Sequence, residues 1–127
     1  MLIYGIDPGF KGKPILDHHG ILSILEPEGD GERVAWIEQV GAMPRQGVSS
    51  VWRFGEQVGA LHMALAATKT PMRLVTPAKW KGFFGLSREK GLSRGVAMQR
   101  FADKFKRVKD DGRAEATLIA LYGKEVM

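Results

Sequence analysis

The stretch Arg33–Val40, RVAWIEQV, constrains this chain more than any other. It is a nearly unbroken run of β-branched, aromatic and small apolar residues, the pattern of a buried strand. Near its C-terminal end stands a glutamate, Glu38. A carboxylate buried without a partner is costly, so a fold built on this strand must give Glu38 a partner or a use. A second apolar run, Leu2–Ile6, stops at Asp7-Pro8-Gly9, which leaves Asp7 at the end of a first strand.

The rest of the chain supplies what such strands need as cover. Pro14–Leu16 and Ile21–Leu25 flank Asp17-His18-His19-Gly20 and read as a β-hairpin, with the two histidines as solvated turn residues. Glu26–Glu32, EPEGDGE, is a polar loop, and Met43–Gly47 is another. Val48–Ala67 has helical spacing, with Val51, Phe54, Val58, Leu61 and Leu65 along one face. Gly55 and Gly59 on that helix leave room for another element to approach. Met72–Thr76 is a short strand closed by Pro77, and Ala78–Gly85 is basic, aromatic and partly helical. Ser93–Val108 reads as an amphipathic helix. Asp111–Gly123 reads as a more apolar one, with Gly123 as its C-cap. Strand, hairpin, strand, helix, strand, helix, helix describes a mixed α/β sheet in one domain spanning residues 1–127.

Composition narrows the chemistry. The chain has no cysteine, which excludes a disulfide scaffold, a thiol nucleophile and a zinc ribbon. It has no apolar run of membrane-spanning length and no secretory signal pattern at its start, so a cytoplasmic protein is expected. The net charge of +5 is unevenly spread: residues 69–109 hold twelve bases and two acids. A basic block of that density is a candidate phosphate-binding surface.

Four acids stand apart from the burial pattern: Asp7, Glu38, and the pair Asp111 and Glu115, four residues apart on one face of the last helix. Should the strands carrying Asp7 and Glu38 be neighbours, their ends converge, and the last helix can bring its pair to the same place. Carboxylates gathered together repel one another. Mg²⁺, which prefers oxygen ligands, relieves that repulsion and bridges carboxylates to phosphate. Two such ions about 4 Å apart can serve both the attacking and the leaving oxygen of a phosphodiester. Acids in the middle and bases around them suit metal-dependent phosphodiester hydrolysis.

These residues carry a family likeness. YGIDPGFKG (4–12), WIEQVGAMPRQGVSS (36–50), VTPAKWK (75–81) and KDDGRAEATLIALYG (109–123) occur in that order and resemble the RuvC-type Holliday junction resolvases, with closest likeness to the phage-borne branch. The resemblance implies a ribonuclease-H-like fold with a five-stranded mixed sheet and flanking helices. It implies a homodimer that cuts four-way DNA junctions by paired nicks, leaving 5′-phosphate and 3′-hydroxyl ends, with two Mg²⁺ per active site and Mn²⁺ as a substitute. Asp7, Glu38, Asp111 and Glu115 fall on its catalytic, metal-holding positions, with Asp110 an alternative to Asp111. Lys79, Lys81, Lys90 and Arg94 fall in segments expected to contact DNA phosphates, and Arg45 and Gln46 follow the Glu38 strand toward the junction. The family's helix before the Glu38 strand is expected to be missing, since only EPEGDGE separates Leu25 from Arg33.

Among the aromatic residues, Trp52 is a candidate for stacking on bases, while Phe54, Trp80, Phe83 and Phe84 are expected in the core. Two rivals remain at this point: an actin-like ATPase fragment, disfavoured by length, and a ribonuclease-H-like module that binds branched DNA without cutting. The same site could also act on flaps, forks or RNA–DNA hybrids.

Overall fold

The structure is a computed structural model, and it describes residues 1–8, 18–25, 31–86, 92–107 and 111–127. Three strands form a sheet in the order β1 (Leu2–Ile6), β2 (Arg33–Glu38), β3 (Met72–Val75), and both pairings are parallel. β2 is the middle strand, and Val34, Ala35, Trp36 and Ile37 are all buried. A central parallel strand is covered on both faces, which is why RVAWI reads as an unbroken apolar run.

The helices divide between those faces. On one side lie α1 (His18–Leu25) and α2 (Val48–Ala67), where Leu25, Ala64 and Leu65 pack with Ala35 and Ile37. On the other lie α3 (Pro77–Phe83), α4 (Leu92–Phe101) with a tight 3₁₀ turn at Ala102–Phe105, and α5 (Asp111–Val126). There Trp80, Ala97, Phe105, Ala114, Leu118 and Ile119 bury Val34, Trp36 and Val75.

Two close approaches fix α5 on the sheet. A Cβ added to Gly5 in β1 would collide with the Ala116 carbonyl and with Ala120 of α5. A Cβ added to Gly123 would overlap the Trp36 ring. Small residues at both points let the helix lie directly against β1 and β2. That approach sets the height of every side chain α5 carries toward the strand ends.

Several expectations need correction. The sheet has three parallel strands among the described residues, not the expected five in mixed directions. The Ile21–Leu25 strand is instead part of α1. Ile21, Leu22 and Leu25 fall at helical spacing and pack toward Leu61 and Leu65 of α2, whereas Ile24 faces out, so helical periodicity prevails over a strand reading. A helix therefore precedes the Glu38 strand where a hairpin strand was expected, while Glu26–Asp30, in the stretch where the family's helix was expected to be missing, lie outside the described residues. Pro14–Leu16 lies outside the described residues.

Gly123 is not a C-cap, because α5 runs on to Val126 and the glycine is needed against Trp36. The expected Ser93–Val108 helix gives way to a 3₁₀ turn after Phe101, and Val108 lies outside the described residues. The α2 bounds and the β3 start agree with the sequence reading. No helix among the described residues is long and apolar enough to cross a membrane.

Candidate active site

The register of the sheet places the first two acids. Ile6 pairs with Ile37, so the next residues, Asp7 and Glu38, leave adjacent parallel strands at the same level. Neighbouring strands lie about 4.8 Å apart, and both carboxyl groups emerge at the C-terminal edge of the sheet. The close packing of Ala116 and Ala120 on Gly5 brings α5 over β1 at that height. Glu115, next to Ala116, thereby shares a hydrogen bond with Asp7.

The electrostatics record this crowding. Burial, the hydrogen bond with Asp7, and the charges of Asp7 and Glu38 push Glu115 up from 4.5 to about 7, with Lys81 opposing. Glu38 is also raised, first by burial and then by the charge of Asp7. Its hydrogen bond from Trp80 and the charge of Lys81 work the other way. The Trp80 indole Nε1 donates to Glu38 Oε2 at 2.6 Å. Ser93 Oγ of α4 lies 3.5 Å from Glu115 Oε1, at the limit of a hydrogen bond.

The fourth acid is held elsewhere. Asp111 Oδ1 lies 3.0 Å from Arg94 Nε, an ion pair in which both side chains are about a quarter exposed (24% and 27%). Arg94 also donates to the Lys106 carbonyl at 2.8 Å. Asp111 begins α5, one turn before Glu115 and on the same helix face, with its carboxylate paired to Arg94. Among the described residues no three His, Cys, Asp or Glu side chains are grouped so as to hold a metal ion. Glu38 turns to Trp80, Asp7 and Glu115 turn to each other, and Asp111 turns to Arg94. Asp110 lies outside the described residues.

The chain matches no curated protein and no protein-family model. Solved structures do match. The structure of Thermus thermophilus RuvC aligns over 99% of this chain and 97% of that chain, with a TM-score of 0.66 and 18% identity. The fold is RuvC-like. The likeness extends over the full described architecture, including β1, β2 and the last helix, the three elements that carry Asp7, Glu38 and Glu115.

The bases expected to meet DNA fall into different settings around this RuvC-like frame. Lys79 is exposed on α3. Lys81 is half-buried, with its ammonium 5.4 Å from the centre of the Trp80 ring and its charge acting on both Glu38 and Glu115. Arg45 and Gln46 occupy an exposed turn. Arg45 has φ 70°, a left-handed conformation unusual outside glycine and asparagine, and Gln46 Oε1 closes the turn by accepting from Met43 N at 2.7 Å. Lys90 lies outside the described residues.

Sequence reasoning missed two features here. Trp80, expected in the core in preference to a DNA-stacking platform, is the donor to Glu38, and Ser93 borders Glu115. The WK pair two residues beyond Pro77-Ala78 was the available signal for the first. Nothing in the sequence pattern marks the second.

Proposed function

We propose that this protein is a metal-dependent endonuclease that resolves four-way DNA junctions by paired nicks. The observation that carries this reading is the Ile6–Ile37 register, which sets Asp7 and Glu38 side by side at the strand ends while α5 delivers Glu115 to the same edge. The RuvC-like fold supports it, as does the basic block over residues 69–109.

The donor chemistry suits a hard divalent cation. All the candidate ligands are carboxylate oxygens, and burial, with the charge of neighbouring carboxylates, raises Glu38 and Glu115, a cost that a bound cation would offset. Asp7, Glu38 and Glu115 would hold Mg²⁺, or Mn²⁺ in its place, with Asp111 the fourth candidate for a two-ion site. Bound there, divalent ions supply Lewis-acid stabilisation of a phosphodiester and a water of lowered pKa. The chain's own residues do the rest. Trp80 and Ser93 orient Glu38 and Glu115, and Lys81 brings positive charge to where a phosphate would sit. Lys79, Lys90, Arg94 and the Arg45–Gln46 turn hold the flanking backbone by charge. Products would carry 5′-phosphate and 3′-hydroxyl ends.

Paired nicks require two sites, and α2 offers a surface for a homodimer of single-domain subunits. Val48, Trp52 and Met63 are exposed along it, Trp52 at 71%, and a Cβ on Gly55 or Gly59 would meet nothing within 4 Å. An exposed apolar stripe of this kind commonly marks an interaction site.

One observation favours a second reading, in which the protein binds branched DNA without cutting it: Asp111 is engaged by Arg94 rather than joined to the other acids. A labelled four-way junction incubated with protein and Mg²⁺ separates the two. Symmetric nicking that is lost with EDTA and with Asp7→Asn supports the nuclease. Binding with no cleavage, or full cleavage by Asp7→Asn, removes it. Sedimentation of the same sample, with and without Trp52→Glu, tests the dimer.

A further inference from the structure

Trp80 fills space in the core, where it is fully buried and packs with Val75, Leu118 and Ile119. Filling space does not by itself require a polar edge. The indole nonetheless points its N–H at the one carboxylate of β2, 2.6 Å from Glu38 Oε2. Its ring face meanwhile carries the Lys81 ammonium at 5.4 Å.

Three neighbouring features set the geometry of this contact. Glu38 pairs with Val75, the last residue of β3. Thr76 then caps α3 by accepting from Lys79 N, and Pro77 opens the helix with its φ already set. Trp80 therefore sits one turn above the end of β3, beside Glu38. A strand end, a capped helix start and a buried ring together define where the indole N–H lies.

We propose that Trp80 is a positioning residue of the acid site. Its N–H fixes one oxygen of Glu38, and with it the carboxylate plane presented to a divalent cation. Its ring face sets the place of the neighbouring Lys81 charge. The inference rests on the reading of the acid cluster as a cation site. The alternative is that Glu38 merely satisfies a buried indole, a structural contact with no bearing on the cation.

The test uses ¹⁵N-labelled full-length protein without DNA. The Trp80 indole resonance is identified by its loss in Trp80→Phe, a variant that keeps an aromatic ring and removes the donor. Added Mg²⁺ is expected to shift that resonance and leave the exposed Trp52 indole in place. Calorimetry should show Trp80→Phe binding Mg²⁺ about tenfold more weakly, near the lower end of what a hydrogen bond to a charged group contributes. In a double-mutant cycle, Trp80→Phe should cost nothing further once Glu38→Gln is present.

Unchanged Mg²⁺ affinity in folded Trp80→Phe, or equal losses with and without Glu38→Gln, would overturn the proposal and leave the cation site standing. Mg²⁺ binding to the wild type that leaves the Trp80 indole unmoved would overturn it equally, even if Trp80→Phe failed to fold. A wild-type protein that binds no Mg²⁺ at millimolar concentration would instead remove the cation site itself, and the proposal with it.

Discussion

The two ends of the parallel sheet handle charge in opposite ways. At the N-terminal end, Arg33 opens β2 and its guanidinium donates to the Leu25 carbonyl at 2.9 Å and to the Thr68 carbonyl. The charge is spent on tying α1 and the end of α2 to the sheet. Arg33 also borders a cleft of about 570 Å³ with Lys69 and Arg73, and Arg73 stacks its guanidinium 5.7 Å from the Trp36 ring centre. At the C-terminal end Asp7 and Glu115 share a hydrogen bond near Glu38, and burial with neighbouring negative charge pushes Glu38 and Glu115 toward protonation. Where backbone carbonyls satisfy a charge, it stabilises the fold. Where like charges are held together against their repulsion, the fold bears a cost that a ligand can relieve, and perturbed groups of this kind tend to mark functional sites.

That contrast can be broken by exchanging the properties of the two ends. Asp7→Asn should lower junction cleavage about a hundredfold or more, the scale of losing a principal electrostatic group in an active site, while leaving the melting temperature unchanged or slightly raised. Arg33→Ala should do the reverse. Loss of two hydrogen bonds from a charged donor should cost about 2–3 kcal/mol of stability, read as a fall in thermal midpoint, with cleavage per folded molecule retained. If Arg33→Ala abolished cleavage in fully folded protein, the two ends would not be separate in role.

The packing that joins the two ends can be probed next. Gly123→Ala forces a methyl group into the Trp36 ring and should cost about 1–3 kcal/mol as overpacking. Because the same helix carries Glu115, the variant should also lose cleavage beyond its loss of folded protein.

A smaller effect sharpens the electrostatic side. The folded protein retains a proton on Glu115 up to about pH 7, whereas its ordinary value is 4.5. Across that window the folded state binds more protons than the unfolded state, so metal-free stability should fall as pH rises from about 4.5 past 7. Glu115→Gln should flatten this slope, and Mg²⁺ should oppose it at the alkaline end. Thermal midpoints measured at pH 5 and pH 8 check both. The smallest effect is expected from exposed Lys79→Ala: about a twofold loss of DNA affinity and a shallower dependence on salt.

How much of this was legible before the structure depends on the range of the signal. The α2 span Val48–Ala67 was readable because twenty residues of helical periodicity leave little ambiguity. The same rule misled at Ile21–Leu25, where five residues, four of them apolar, fit strand and helix alike and only the packing of Leu25 against α2 decides. Gly123 looked like a helix end because a C-terminal glycine is the usual stop. Its actual role, contact with Trp36, depends on a residue 87 positions earlier in the chain. The candidate acids were identifiable one by one, since each sits where burial patterning gives it no role. Their grouping was not, and the separation of Asp111 by Arg94 had no sequence signal at all.

The central buried strand, the long α2 helix, the acids at Asp7, Glu38, Asp111 and Glu115, and the basic block over residues 69–109 were all legible in the amino-acid sequence. These follow from local period and composition, which act over a few residues. Long-range packing was needed to set Asp7 and Glu38 level, to bring Glu115 to Asp7, to pair Asp111 with Arg94, and to turn the Trp80 N–H to Glu38. Those outcomes depend on strand register and on the close seating of α5 at Gly5 and Gly123. Both are set by which surfaces pack together, and that is a property of residues far apart in the chain.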